Sequence, residues 1–174
     1  MNSAEFAEFY AASFGRLTGQ LAAMIGDRAE AQDAVQEAFI RAWQHRGRLD
    51  RAASPEAWVR TTAWRIALSR WRRTESGLRL MRLRAGPSPE SVAGPTPDRV
   101  AFESALRRAP AEQRRALVLY YLCDLTVAEI ATETGAPEGT VKARLARGRA
   151  VMAPYLNENV VSGTPAAEKE VRDA

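Results

Sequence analysis

The sequence predicts an all-α protein made of two small helical domains that are joined by a flexible linker. Apolar residues recur at helical spacing over most of the chain, and no stretch shows the alternation of a strand. A segment rich in Pro, Gly and Ser divides these helical regions. We therefore place the first domain at residues 4–76, the linker at 77–97, the second domain at 98–154 and a disordered tail at 155–174.

The first domain contains three predicted helices. The first covers residues 4–25, and Gly15 leaves open whether it is broken there. The second covers residues 28–44 and carries acidic side chains. After a loop from Arg46 to Ser54, the third begins at Pro55 and runs to about residue 73.

The second domain is predicted to be a four-helix unit that ends in a helix-turn-helix. Two helices share residues 98–122, with a break at Pro110. Thr126 and Glu129 then have the spacing of a capping box at the start of the third helix. Gly135 favours the left-handed conformation that ends such a helix.

The last predicted helix is basic and amphipathic. Val141 and Leu145 are expected to face inward, because they are one helical turn apart. Basic residues occupy the other faces, namely Lys142, Arg144, Arg147 and Arg149. A helix of this kind, after a tight turn, is typical of one that lies against DNA phosphates and base edges.

Charge is strongly segregated along the chain, although the net charge is only +4. Residues 1–40 hold six acids against two arginines, whereas residues 41–84 hold twelve arginines against three acids. Residues 138–154 form a second basic segment. Two basic segments predict two contacts with nucleic acid, and the acidic segment predicts a surface with a different role.

The composition excludes several kinds of site. Cys123 is the single cysteine and His45 the single histidine, so no disulfide, cysteine-based zinc site or histidine triad can form within the chain. We expect Cys123 to be a small core residue. No phosphate-binding glycine loop or nucleophile–base pair is visible, so we expect no enzymatic activity, no cofactor and no metal.

Neither a signal peptide nor an apolar span of membrane length is visible, and we expect a cytoplasmic protein without membrane insertion.

Two motifs resemble those of the extracytoplasmic-function sigma factors, the smallest group of the sigma-70 family. Residues 33–39, DAVQEAF, are similar to the region 2 signature, and residues 137–145, PEGTVKARL, to the region 4 recognition helix. The resemblance covers about residues 4–153. It implies a protein that binds core RNA polymerase through the β′ clamp and β flap, recognises promoter DNA and assists its melting.

The acidic helix would dock on the polymerase in this family. The resemblance assigns that role to exposed polar residues, here Asp33, Gln36 and Glu37, while Val35 and Phe39 would face the core. Complementary charge would mainly speed and orient docking. Taken without the family pattern, the same acids are also consistent with a solvated helix face.

The third helix and the loop before it would handle the −10 promoter element. Holding single-stranded bases requires a basic groove with aromatic surfaces. The corresponding residues are Arg46, Arg48, Asp50, Arg51, Arg60, Trp64, Arg65, Arg70, Arg72 and Arg73. Trp64 and Trp71 are consistent either with base stacking or with core packing. Arg65 and Ser69 replace an Asn and an Asp that are common in the family, which affects the expected base preference.

The recognition helix would contact the −35 element in the major groove. The residues implied are Glu138, Thr140, Lys142, Ala143, Arg144 and Arg147. Ala143 replaces a serine that is common in the family, and it could contact only a thymine methyl group. The family also implies an anti-sigma partner that covers these surfaces.

A stand-alone helix-turn-helix regulator is the alternative. It accounts equally well for residues 98–150, but it leaves the arginine-rich third helix and the acidic helix unexplained.

Overall fold

The computed structural model describes residues 1–49, 52, 54–73 and 97–156, with the backbone alone for 97–100. Every regular element within these ranges is helical, which confirms the predicted all-α class. The chain forms two compact units, one within residues 1–88 and one within 89–174. The linker prediction, apart from Pro97, and the tail prediction beyond residue 156 lie outside the described residues.

The first helix, α1 (Ser3–Ile25), is continuous. It begins with a capping box, in which the Asn2 side chain accepts from the Glu5 backbone N–H at 2.9 Å and the Glu5 carboxylate accepts from the Asn2 N–H at 2.7 Å. Gly15 does not break the helix. An isolated glycine costs only about 1 kcal/mol of helix propensity, and the burial of Leu17 two residues later offsets that cost by packing the helix.

The next elements follow the predicted bounds with one correction. Helices α2 (Arg28–Gln44) and α4 (Pro55–Arg73) begin and end where the sequence predicts. Between them, where only a loop was expected, a short helix α3 (Arg46–Leu49) forms. The Leu49 backbone N–H donates to the His45 carbonyl at 3.3 Å, and the Leu49 side chain is almost completely buried. Burial of this apolar side chain favours the tight turn over an open loop.

Helix α2 packs against both α1 and α4. Its buried face carries four alanines without exposed surface, which are Ala31, Ala34, Ala38 and Ala42. Small side chains on this face let neighbouring helix axes approach closely. Val35 and Phe39 are also buried, as predicted, and the Phe39 ring meets the rings of Phe9 and Tyr10 at centroid distances of 5.4 and 5.0 Å.

The second unit has the four predicted helices. They are α5 (Pro97–Leu106), α6 (Ala111–Tyr121), α7 (Val127–Thr134) and α8 (Glu138–Met152), followed by a 3₁₀ turn at Ala153–Tyr155. Pro110 and Pro137 stand immediately before α6 and α8, so neither helix loses a hydrogen bond to proline. The core contains Leu117, Ile130 and Val141, none of which has exposed surface.

Arg114 of α6 closes the end of α5. Its guanidinium donates to the Ala109 carbonyl at 3.0 Å and to the Arg107 carbonyl at 3.3 Å. Burial lowers the pKa of Arg114, and the charge of Arg107 lowers it further. A cation is favourable at a helix carboxyl end, so this partly buried arginine is structural.

One core prediction is wrong. Cys123 is half-buried, because it follows α6 and stands in the turn before α7, where the chain leaves the core.

Within the described ranges, no helix combines the length and apolar character needed to cross a membrane.

Candidate nucleic-acid interface

The helix-turn-helix prediction is confirmed in its local geometry. Thr126 Oγ1 accepts from the Glu129 backbone N–H at 3.3 Å, and the Glu129 carboxylate accepts from the Thr126 N–H at 2.8 Å. Gly135 ends α7 at φ 68°, in the left-handed region that glycine adopts without strain. The capping box thus fixes where α7 begins, and Gly135 fixes where it ends.

Helix α8 has one buried side and one exposed side. Val141 and Leu145 face inward, as predicted, together with Gly148 and Met152. The exposed side holds Glu138, Thr140, Lys142 and Arg147, whereas Ala143 and Arg144 are half-buried. The exposed polar groups therefore extend along α8 from its first turn to Arg147, on the side opposite Val141 and Leu145.

The arginines of α8 differ in how firmly they are held. The Arg144 guanidinium lies 3.3 Å from the Glu112 carboxylate of α6. Arg149 donates to the Tyr121 hydroxyl at 2.8 Å, and its guanidinium lies 5.3 Å from the centroid of the Tyr120 ring. Arg149 thus fastens α8 to α6 through a hydrogen bond and a cation–π contact. Glu112 was missed from the sequence, because its distance from Arg144 becomes short only when α6 and α8 pack.

In the first unit, the three predicted polymerase contacts of α2 have different environments. Asp33 and Gln36 are exposed. Glu37 is partly covered and is bound by Arg41 of α2 and by Arg70 of α4, whose Nη2 lies 2.6 Å from the Glu37 carboxylate. Glu37 is therefore an ion-paired residue rather than a free surface anion.

Arg70 also reaches a second carboxylate of α2. Its Nη1 lies 3.1 Å from Glu30 Oε1. Burial by itself would raise the pKa of Glu37, but the hydrogen bonds and charges of Arg41 and Arg70 hold this pKa below its ordinary value. Burial would likewise lower the pKa of Arg70, and its two carboxylate partners raise it.

Two of the predicted DNA contacts on α4 are internal. Arg60 is 5% exposed and donates to the Gln20 side chain of α1 at 3.2 Å. Trp64 is also 5% exposed, which decides between stacking and core in favour of the core. In this structure neither side chain is accessible to DNA, unlike the expectation from the sequence. Both positions lie on the stripe of α4 that packs against the other helices, and helical periodicity alone did not separate that stripe from the basic one.

The remaining arginines of α4 are accessible. Arg65, Arg72 and Arg73 are exposed, and Trp71 is half-buried. The three exposed arginines form a basic surface along α4, and Arg60 is not part of that surface.

The loop predicted before α4 lies only partly within the described residues. Arg46 and Arg48 are exposed on α3, and the Arg46 guanidinium lies 4.8 Å from the centroid of the Trp43 ring. Asp50 and Arg51 lie outside the described residues.

Two exposed apolar residues of α2 escaped the sequence interpretation. Ile40 is 53% exposed and Trp43 is 37% exposed. Trp43 continues the four-residue spacing of Val35 and Phe39, a pattern that predicts a buried side chain. It instead lies at the rim, with its ring 5.1 Å from that of Phe6. For Ile40, the observable signal is the set of polar residues one helical turn away, namely Gln36, Glu37 and Gln44. Among the described residues, no group of His, Cys, Asp and Glu is arranged to hold a metal ion.

Residues 9–76 match the family model of Sigma-70 region 2, and residues 99–152 match that of Sigma-70, region 4. The ECF RNA polymerase sigma factor SigL of Mycobacterium tuberculosis is 34% identical over 128 residues, which are 70% of this chain and 72% of the relative. The chain belongs to the ECF sigma factors of the sigma-70 family. SigM of the same species is 33% identical over 142 residues, covering 75% of this chain and 68% of the relative.

The fold also agrees with that of a solved sigma factor. RpoE of Bartonella quintana, in complex with the anti-sigma factor NepR, superposes with a TM-score of 0.69 at 24% identity. The match covers 87% of this chain and 96% of that chain. It supports the two-unit helical architecture.

The protein is therefore an alternative sigma factor, a transcription-initiation factor that directs RNA polymerase to promoters. The region 2 match accounts for the acidic helix and the arginine-rich helix, which a stand-alone regulator left unexplained. That alternative is not favoured.

Proposed function

We propose that this sigma factor reads the −35 element with the exposed side of α8. The observation that supports this proposal is the division of α8 between a buried side at Val141 and Leu145 and an exposed side at Thr140, Lys142 and Arg147. A helix held in this way by α6 and α7 can enter the major groove without disturbing the core.

The exposed groups of α8 have distinct expected roles. Lys142 and Arg147 suit phosphate or guanine contacts, and Thr140 and Glu138 suit polar contacts at the amino end of the helix. Ala143 is restricted to apolar contact. Arg144 joins them when its side chain is free of Glu112.

For the −10 element, we propose contacts from Arg46 and Arg48 of α3, from Asp50 and Arg51 after it, and from α4. On α4, the exposed arginines are Arg65, Arg72 and Arg73. Guanidinium groups along one helix suit the backbone of a single strand. Trp71 is the remaining candidate for base stacking.

For polymerase docking, we propose a surface on α2 that consists of Asp33, Gln36, Ile40 and Trp43, referred to below as the docking face. All four side chains are exposed. An apolar patch with polar groups around it is typical of a protein interface.

We further infer that the protein acts in the cytoplasm, performs no catalysis itself and uses its second unit to contact the β flap. The structural relative is bound to an anti-sigma factor, and we infer such a partner for this chain. The limits of 4–76 and 98–154 for the two functional domains are part of the proposal.

Run-off transcription with core polymerase tests these assignments. Asp33→Ala should abolish transcripts by weakening core binding, and Arg147→Ala should lower them in a way that depends on the −35 sequence. Glu8→Ala and Arg28→Ala, which remove exposed charges elsewhere on α1 and α2, are the matched controls. Sequence-specific binding of the protein alone to promoter DNA, with no transcripts, would contradict the proposal.

A further inference from the structure

Arg70 stands on α4, the helix with the basic surface, yet its guanidinium is directed to α2. Nη1 lies 3.1 Å from Glu30 and Nη2 lies 2.6 Å from Glu37. The two carboxylates are seven residues apart, so they lie on the same side of α2, about two turns from each other. One guanidinium therefore joins two turns of α2 to the last part of α4.

This bridge is partly shielded from solvent and combines several charge-assisted hydrogen bonds. The side chains of Arg70, Glu30 and Glu37 are 38%, 24% and 34% exposed. Both oxygens of Glu37 are engaged, one by Arg41 and the other by Arg70. A guanidinium with two charge-assisted hydrogen bonds also has less freedom than an ammonium group. The bridge consequently limits how α2 can rotate or shift on α4.

We propose that Arg70 is a positioning residue for polymerase docking, which fixes the docking face by holding Glu30 and Glu37, and is not primarily a DNA contact. Asp33 and Gln36 lie between these two carboxylates in sequence, so the bridge spans the turns that present them. If Arg70 were absent, three carboxylates would remain on adjacent turns of α2, those of Glu30, Asp33 and Glu37. Their repulsion would favour other side-chain arrangements. The inference rests on the proposed docking role of α2.

The consequence is a division of labour within one helical turn. Arg72 and Arg73 are exposed and available to DNA, whereas Arg70, only two residues before Arg72, serves polymerase docking. The bridge also makes the docking face and the basic end of α4 move together.

The test measures the affinity of the full-length protein for core polymerase, using displacement of a fluorescent sigma factor. Arg70→Gln should weaken core binding about 5- to 20-fold. Arg72→Gln, an exposed arginine of the same helical turn, should leave core binding unchanged and lower promoter opening. If Arg70→Gln behaves as Arg72→Gln does, Arg70 is a DNA contact and the proposal is wrong.

A double-mutant cycle separates positioning from a direct contact. Glu37→Gln in the Arg70→Gln background should weaken core binding by much less than Glu37→Gln does in the wild-type background. Additive effects would contradict the bridge. Asp33→Ala distinguishes failure of the Arg70 proposal from failure of the proposed docking face. If Asp33→Ala weakens core binding while Arg70→Gln does not, only the Arg70 proposal is wrong. If Asp33→Ala has no effect, the assignment of the docking face is itself wrong.

A purely structural role is tested with Val59→Ala, which opens the buried core of α4. All affinities are measured at a temperature at which circular dichroism shows every variant to be folded. Val59→Ala should lower the unfolding temperature at least as much as Arg70→Gln, yet leave core affinity within about 2-fold. An equal loss of core affinity in both variants would show that general stability, and not positioning, explains Arg70.

Discussion

Gly148 of α8 lies against Leu117 of α6 so closely that a Cβ atom on the glycine would stand 2.7 Å from Leu117 Cδ1 and 3.1 Å from Leu117 Cγ. Real Cβ atoms essentially never come within 3.0 Å of a heavy atom from another part of the chain. Leu117 has no exposed surface, so its side chain has little room to move. The glycine therefore determines how closely the recognition helix approaches α6.

Gly148→Ala should destabilise the second unit. Overpacking a buried contact costs about 1–3 kcal/mol, and the better helix propensity of alanine returns up to about 1 kcal/mol. We expect a net loss of about 1–2 kcal/mol. Urea denaturation measures the total, and hydrogen exchange of α6 and α8 amides locates it.

Gly139→Ala is the matched control for this prediction. Gly139 belongs to the same helix, but a Cβ atom there meets nothing within 4 Å. The substitution should leave stability unchanged or raise it by up to about 1 kcal/mol. A stable Gly148→Ala variant with unchanged exchange would show that Leu117 adapts without cost.

Thr126→Ala should weaken the helix-turn-helix. The variant loses the hydroxyl that accepts from the Glu129 N–H, and it breaks one half of the capping box. Loss of a threonine N-cap costs about 1 kcal/mol. Hydrogen exchange in α7 should accelerate accordingly, whereas Thr132→Ala should have little effect, since that hydroxyl only donates back to the Ala128 carbonyl of the same helix. Equal exchange in both variants would contradict a role of the cap.

Local signals explain why the helix-turn-helix was predictable. The Thr126–Glu129 capping box and Gly135 act within a few residues, so their geometry follows from the sequence. The inward positions of Val141 and Leu145 follow in the same way from helical spacing.

Long-range contacts explain what was missed. Arg60 resembles every other arginine of α4 in the sequence, and only the position of Gln20 on α1 shows that it is buried. The same holds for Arg70 with Glu30, and for Arg144 with Glu112. Periodicity identifies a helix face, but it does not identify the partner that another helix brings to that face.

Arg60→Ala should affect stability rather than DNA binding. It removes a buried side chain and leaves Gln20, which is 8% exposed, without its guanidinium partner. Truncating such a pair costs about 2–4 kcal/mol. Tryptophan fluorescence follows the unfolding, because the four tryptophans, at positions 43, 58, 64 and 71, all belong to the first unit.

Arg65→Ala provides the comparison for Arg60. Arg65 is exposed on the same helix, so its loss should change stability by less than about 0.5 kcal/mol and should weaken promoter opening. A stable Arg60→Ala variant that is defective in DNA opening would restore Arg60 to the DNA contacts.

Stability of the first unit should fall with acid partly through Glu37. The pKa of this carboxyl is held below its ordinary value in the folded state, so its stabilising contribution is present above the unfolded pKa and is lost as the pH falls through the folded pKa. The difference in unfolding free energy between wild type and Glu37→Gln should therefore shrink from about pH 6 to about pH 3. Glu8→Gln, on the exposed side of α1, is the control, and a pH-independent difference for Glu37→Gln would contradict the ion-pair assignment.

Glu112→Gln should strengthen binding to DNA of any sequence. The Glu112 carboxylate, 47% exposed, lies 3.3 Å from the Arg144 guanidinium and competes with phosphate for it. Removing this anion frees Arg144 and lowers repulsion of the DNA backbone, while an exposed pair of this kind contributes less than about 1 kcal/mol to stability. In fluorescence anisotropy with mixed-sequence DNA and the full-length protein, the affinity for DNA should rise about 2- to 5-fold and depend more steeply on salt.

Glu133→Gln, which removes a carboxylate from α7, tests whether net charge alone explains the gain in DNA affinity. If Glu112→Gln strengthens DNA binding no more than Glu133→Gln, or if the gain persists in an Arg144→Ala background, the restraint of Arg144 by Glu112 plays no part in DNA binding.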